Sequence, residues 1–295
     1  MMATIGIINT SLVTIAVNEI ISSLITKTDA SSDQLVGIEI DASSHTLTKK
    51  VLNEKSKTTP QNQEIAQLRY SSIDENNQTA IAEQIDQYDA LLIITEKDDI
   101  FEAFEQKNKV MYIQTSMFND IEGSDHSVGF DSALNALTTN ILQIKDTAVS
   151  MIYQNPRLFC IQIPGTAKNQ LLYDTALAVD GTVMIDEHDE IAYEQLRSSI
   201  LSKYEQGITY SFVLTNHSVD PSIIEQKLNR IVELDFKHVQ FDEAQCMGPY
   251  PTAVDKILAR KITNTITDWC QQTNTSSRLL IKEDQAIVTT ASSAS

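Results

Sequence analysis

The chain has 295 residues, of which 42% are hydrophobic and 21% charged, so it can build a substantial core, and wholesale disorder is excluded. Its formal charge of −18 argues against nucleic acid or an anionic membrane as partner, since both require clustered cations. No apolar run approaches the roughly 20 residues that span a bilayer.

Taken in chain order, short apolar runs alternate with helical patterns. Residues 4–9 (TIGIIN) read as a first strand rather than a signal peptide, and 14–27 as a helix with Ile15, Ile20, Ile21, Leu24 and Ile25 on its apolar side. Residues 36–40 read as a second strand. Residues 53–75 are polar and read as surface loop. Beyond them the pattern predicts a helix over 77–87, a buried strand over 89–95, a short helix over 99–107, a strand over 110–114, a loop over 115–127 and a long helix over 128–150. Further strands are expected at 158–163, 182–185, 209–215 and 236–241, with helices at 168–179, 190–205 and 221–233. A helix over 253–271, a last strand over 278–282 and a frayed Thr/Ser/Ala tail complete the chain.

Alternation of this kind predicts an α/β fold with mainly parallel sheets covered on both faces. The number of strands implies two Rossmann-like lobes with a cleft between. The expected lobes are residues 1–133 with 247–295, and residues 134–246. Ligands of such folds bind beyond the carboxyl ends of strands, so chemistry is sought in the loops 10–18, 95–99, 114–125, 164–170, 215–219 and 242–251.

Glycine is scarce. There are eight: Gly6, Gly37, Gly123, Gly129, Gly165, Gly181, Gly207 and Gly248. No Gly-x-Gly and no Gly-x-x-x-x-Gly-Lys occurs. Phosphate cradles need glycine because the backbone must approach the ligand closely, so a P-loop and a dinucleotide fingerprint are excluded. The six arginines are scattered, and Cys160, Cys246 and Cys270 form neither a disulfide framework nor a metal knuckle. These features fit buried thiols in a reducing cytoplasm. Five scattered histidines give no metal spacing. Asp125-His126-Ser127 has the composition of a hydrolase triad, but sequential neighbours rarely meet as one. His217 reads as a satisfied polar residue at a strand end. Glu96, Asp98 and Asp99 read as a solvated acidic loop, with weak cation binding as the sharper alternative.

One stretch carries a resemblance. Asn119-Asp120-Ile121-x-Gly123-x-Asp125-x-x-x-Gly129-Phe130-x-x-Ala133-Leu134 resembles the loop and helix after the catalytic strand of bacterial ATP-dependent 6-phosphofructokinases. IGIINT…VNEII, YDALLIIT, LTNH (214–217) and VDKILARKI (254–262) resemble further family segments in the same order. Together they cover roughly residues 4–30 and 77–289.

The family's functional positions, carried over one at a time, are mostly altered. Its glycine-rich phosphate loop corresponds to Ser11 through Val17, with only Asn18 retained. Its Gly-Gly-Asp-Gly-Ser corresponds to Thr95-Glu96-Lys97-Asp98-Asp99, so Lys97 replaces the magnesium-binding acid and Asp98 and Asp99 stand near the phosphate. A cation cannot ligate magnesium, and added carboxylates repel a triphosphate. The catalytic loop reads Gln114-Thr115-Ser116-Met117-Phe118-Asn119-Asp120, which puts Phe118 at the general-base position and leaves Asp120 two residues on. Thr166 falls where a basic group would meet the transferred phosphate, and Asn216 replaces a sugar-binding glutamate. Ala244 and Met247 replace a histidine and an arginine, His238 falls near another arginine, and Arg157 is the one surviving candidate among the phosphate-binding arginines. The regulatory positions correspond to Ser22, Thr26 or Lys27, and Gln206–Thr209, and also lack the expected basic set.

The resemblance therefore implies a non-catalytic relative, expected to be cytoplasmic, with no cofactor and with weak or absent binding of ATP and magnesium. It implies assembly into a homo-oligomer, or into a hetero-oligomer with an active phosphofructokinase. Two alternatives stand beside it. One is a residual or altered sugar kinase. The other is a binding module in which Met117, Phe118 and Met247 make the old cleft suit an uncharged metabolite.

Overall fold

The apolar runs become strands because each can be buried on both faces. In the computed structural model the described residues are 3–41, 43–44, 46–54, 68–74, 77–96, 100, 104, 109–151, 153–165, 169–230, 232–272 and 275–290. The strands are β1 (Thr4–Thr10), β2 (Gln34–Ile40), β3 (Leu47–Leu52), β4 (Ala90–Thr95), β5 (Val110–Gln114), β6 (Arg157–Ile163), β7 (Thr182–Val183), β8 (Tyr210–Asn216), β9 (Asp235–Gln240), β10 (Ser277–Lys282) and β11 (Gln285–Thr290). The helices are α1 (Thr14–Ser31), α2 (Gln78–Ile85), α3 (Phe130–Val149), α4 (Gln170–Ala178), α5 (Glu190–Glu205), α6 (Pro221–Asn229), α7 (Glu243–Met247) and α8 (Ala253–Gln272).

The chain divides into two units, Met1–Asp131 with Pro249–Ser295, and Ser132–Gly248. The first holds a seven-stranded sheet in the order β11-β10-β5-β4-β1-β2-β3. Its five inner strands are parallel, and the two edges are antiparallel additions. β4 (ALLIIT) and β5 (VMYIQ) are buried at every position, as a parallel sheet covered by helices requires. The second unit holds a four-stranded parallel sheet, β7-β8-β6-β9.

Helices form where the spacing presents one apolar stripe. α1 buries Ala16, Val17, Ile20, Ile21, Leu24, Ile25 and Thr28, and each large aliphatic among them contributes roughly 1.5–3 kcal/mol. It stops at Ser32, whose left-handed φ of 63° sends its amide back to the Thr28 carbonyl. α5 and α6 start on aspartates, Asp189 and Asp220, that accept the first free amides, and Pro221 opens α6 where no amide is needed. Among the described residues no helix is long and apolar enough to cross a membrane.

Three elements differ from the sequence expectation. β3 forms at Leu47–Leu52, where no strand was expected, by pairing antiparallel with β2. No strand was expected after 278–282, yet the chain turns at Glu283 and Asp284 and pairs back as β11 through Thr290, and the rest of the Thr/Ser/Ala tail expected to fray, 291–295, lies outside the described residues. α7 is a five-residue helix inside the expected loop 242–251, closed by a reciprocal cap between Asp242 and Gln245. The polar stretch 55–67 and most of the short helix expected at 99–107 lie outside the described residues.

Candidate functional site

In the first unit the site is built where β1, β4 and β5 end side by side. Register sets Thr10 against Thr95 and Thr95 against Gln114, so the next residues, Ser11, Glu96 and Thr115, emerge together. Ser11 is 1% exposed and Thr115 is fully buried. Ser11 Oγ donates to Glu96 Oε1 at 2.8 Å and accepts from Thr115 Oγ1 at 2.8 Å and from the Val13 amide at 3.0 Å. Its one donor and two acceptor sites are all used. The same Glu96 oxygen accepts the Leu12 amide. α1 opens at Thr14, two residues on, so a carboxylate sits at the positive end of that helix.

The loop after β5 is held by its own polar groups. Ser116 Oγ donates to Asp120 Oδ1 at 2.5 Å and accepts the Phe118 amide at 3.0 Å. The Ser116 carbonyl accepts Ser127 Oγ at 2.8 Å, and Ser127 also reaches Asn119 Oδ1 at 3.2 Å. Asn119 takes a left-handed φ of 56° and donates Nδ2 to the Asp125 carbonyl at 3.2 Å. Gly129, at φ 108°, gives its amide to the fully buried Asp255 at 2.9 Å. A Cβ at Gly129 would fall 2.4 Å from Val13 Cγ1, so glycine here is what lets the α3 start close on the β1–α1 loop.

Ser116, Phe118, Asn119 and Asp120 thus share one loop, and Thr95 ends the neighbouring strand, where its carbonyl accepts the Thr115 amide at 3.0 Å. Phe118 and Asn119 are half-buried and Asp120 is exposed. Asn18 lies half-buried on the second turn of α1. Lys97, Asp98, Asp99 and Thr166 lie outside the described residues. Met117 is 2% exposed and belongs to the core, because its side chain turns inward after β5. This corrects its expected place in a cleft lining.

In the second unit the expected residues separate. Asn216 ends β8, fully buried, with Oδ1 accepting the Ser218 amide at 2.9 Å. Met247 ends α7, half-buried. Arg157 opens β6, at the amino end of the sheet, about 20 Å from the carboxyl ends by strand rise. There it donates Nε to Asp235 Oδ2 at 2.7 Å and stacks over the Tyr153 ring at 3.7 Å. Asp235 is also met by Lys237 Nζ at 3.1 Å. Partial burial raises the Asp235 pKa, but the bonds from Arg157 and Lys237 outweigh it and hold the carboxyl below its usual value.

Asp125, His126 and Ser127 diverge. Asp125 turns to the Glu283 amide at 2.8 Å and Lys282 at 3.2 Å, His126 to Asp284 at 3.7 Å, and Ser127 to Ser116. His217 reaches the Phe241 carbonyl at 3.1 Å. Among the described residues no cluster of three or more potential ligands could hold a metal. Sequence reasoning took Glu96 as part of a solvated loop and missed its bond to Ser11. The signal was the adjacency of β1 and β4, which composition does not carry.

A profile of the phosphofructokinase family matches residues 5–270. Over 156 residues the chain is 26% identical to an ATP-dependent 6-phosphofructokinase of Mesomycoplasma hyopneumoniae, covering 52% of this chain and 47% of that one. It is 30% identical, at the same coverage, to one from Fusobacterium nucleatum. The chain thus matches about half the length of these curated relatives. Its fold is similar to that of Saccharomyces cerevisiae phosphofructokinase, with TM-score 0.79 and 14% identity over 98% of this chain and 43% of that one. A pyrophosphate-dependent phosphofructokinase of Marinobacter aquaeolei gives TM-score 0.73 and 12% identity over 99% and 83%.

Proposed function

This chain belongs to the phosphofructokinase family, and we propose that it is a non-catalytic member, acting by assembly with itself or with an active kinase of the family. The observation that carries this reading is the Glu96 carboxylate on the Ser11 hydroxyl and the Leu12 amide. Donors at the start of a helix after a β-strand are the ordinary cradle for a phosphate. Here a side chain of the same charge already fills that role. A phosphate entering within about 4 Å of it meets a repulsion of roughly 1 kcal/mol in bulk water and about 4 at an effective dielectric of 20. The helix terminus returns only about 0.3–1 kcal/mol for an exposed anion. Repulsion therefore wins unless cations intervene.

The remaining positions support the same conclusion. Phe118 at the base position has no atom that takes a proton from a sugar hydroxyl. Arg157 is committed to Asp235 at the amino end of its sheet. Phosphoryl transfer rests on charge neutralisation and positioning, and the loss of one such group alone can cost about 10²–10³ in rate.

Mixing the purified chain with an authentic bacterial phosphofructokinase tests the assembly. The heteromeric form of the proposal expects co-elution and altered kinetics of the active partner. Separate elution with unchanged kinetics rejects that form and leaves self-assembly, which light scattering on the chain alone decides.

A further inference from the structure

The two sheets of this chain have four edges, and three of them are guarded. β3 carries Lys49 and Lys50 in its middle. β7 is two residues long. β9 carries Asp235 and Lys237. Charges and brevity of this kind keep one sheet from adding to another. β11 has neither. Its six residues, Gln285 to Thr290, include no charge and no proline, and Ile287 and Val288 are 37% and 40% exposed. Among the described residues no strand pairs with its outer side.

The hairpin decides which groups face outward. Glu283 and Asp284 have φ of 47° and 59°, the signature of a type I′ two-residue turn. Such a turn makes Lys282 and Gln285 a hydrogen-bonded pair, and the alternation of an antiparallel ladder then makes Leu280–Ile287 and Arg278–Thr289 bonded pairs too. Ala286 and Val288 therefore point their amides and carbonyls away from β10. The Ala286 carbonyl accepts Thr265 Oγ1 at 3.2 Å from α8, as an outward carbonyl can. Val288 stands at the centre of the outward row.

We propose that β11 is a self-association edge, occupied by β11 of a second copy in antiparallel register centred on Val288. Two identical antiparallel strands make a closed two-fold contact that leaves no edge behind. With Val288 opposite Val288 of the second copy, the outward groups of the two strands face each other. Ile287 then lies beside Thr289 on one face of the joined sheet, and the two Val288 side chains lie together on the other. Charge selects the occupant. Copies of a chain of net charge −18 repel over most of their surface, and this strand brings no carboxylate of either copy opposite another. The proposal rests on the edge alone and stands whether or not the site after β1 has lost its chemistry.

Light scattering and oxidative cross-linking of the full chain test it. The wild type is expected at an even multiple of 32.9 kDa, and Val288→Lys to halve that mass while keeping the wild-type circular dichroism spectrum. Val288→Cys is the conservative partner variant. An antiparallel bonded pair sets Cα atoms about 5.5 Å apart, within disulfide reach. It should give a disulfide-linked dimer on mild oxidation, whereas Thr48→Cys on the guarded β3 edge should not. A monomeric wild type, a mass unchanged by Val288→Lys, or a Val288→Cys chain that does not cross-link would each overturn the proposal.

Discussion

Ser11 and Glu96 are 85 residues apart in sequence and 2.8 Å apart in space, the serine hydroxyl donating to the carboxylate at the point where β1 gives way to α1. Parallel pairing of β1 with β4 puts them there, and the buried Thr115 hydroxyl fixes the serine from the other side. The bond ties together the two loops that would have to part around a phosphate.

Glu96→Gln keeps an oxygen for the Leu12 amide and removes the charge. Affinity for inorganic phosphate, read as a concentration-dependent thermal shift, should rise roughly fivefold or more, the equivalent of about 1 kcal/mol or above. An unchanged phosphate response would mean that Glu96 does not guard the helix terminus.

Gly129→Ala should destabilise the chain by about 2–4 kcal/mol in denaturant unfolding, because it combines φ 108° with a 2.4 Å approach to Val13. Adding Val13→Ala should recover part of this loss, since it relieves the clash but not the backbone strain. Full recovery, or none, would contradict the stated contact.

The Arg157–Asp235 pair sets a pH dependence. The Asp235 pKa is lowered in the folded chain from an unfolded value near about 3.9. In acid the unfolded state therefore binds the extra proton first, and stability falls as pH falls. The contribution is fully present above about pH 4 and is lost as pH drops through the folded value. Asp235→Asn should flatten the stability curve below about pH 4 and leave its slope near neutrality unchanged.

Burial raises the thiols of Cys160, Cys246 and Cys270 to about 12. At pH 8 a thiol reagent should react slowly with the folded chain and rapidly with three thiols once it is unfolded. Rapid reaction of the native chain would show a thiol more accessible than this packing allows.

The parallel core was legible because buried strands write themselves as apolar runs, as at 90–95 and 110–114. The antiparallel edges were not. β3 is half lysine and threonine, and its order comes from pairing with β2 rather than from its own pattern. β11 was hidden because its turn uses Glu283 and Asp284 at positive φ, without the glycine that usually announces a hairpin. At the site, the altered residue types could be read directly: Phe118 has no basic atom whatever its surroundings. What Glu96 does, and that Arg157 faces Asp235 at the far end of its strand, depend on strand order and register, which a single sequence does not print.

The most direct test of the central claim is calorimetric titration of the purified chain with ATP and magnesium, paired with an assay for phosphate transfer to fructose 6-phosphate. The account expects no binding in the micromolar range and no turnover above background. Micromolar affinity with product formation would contradict it.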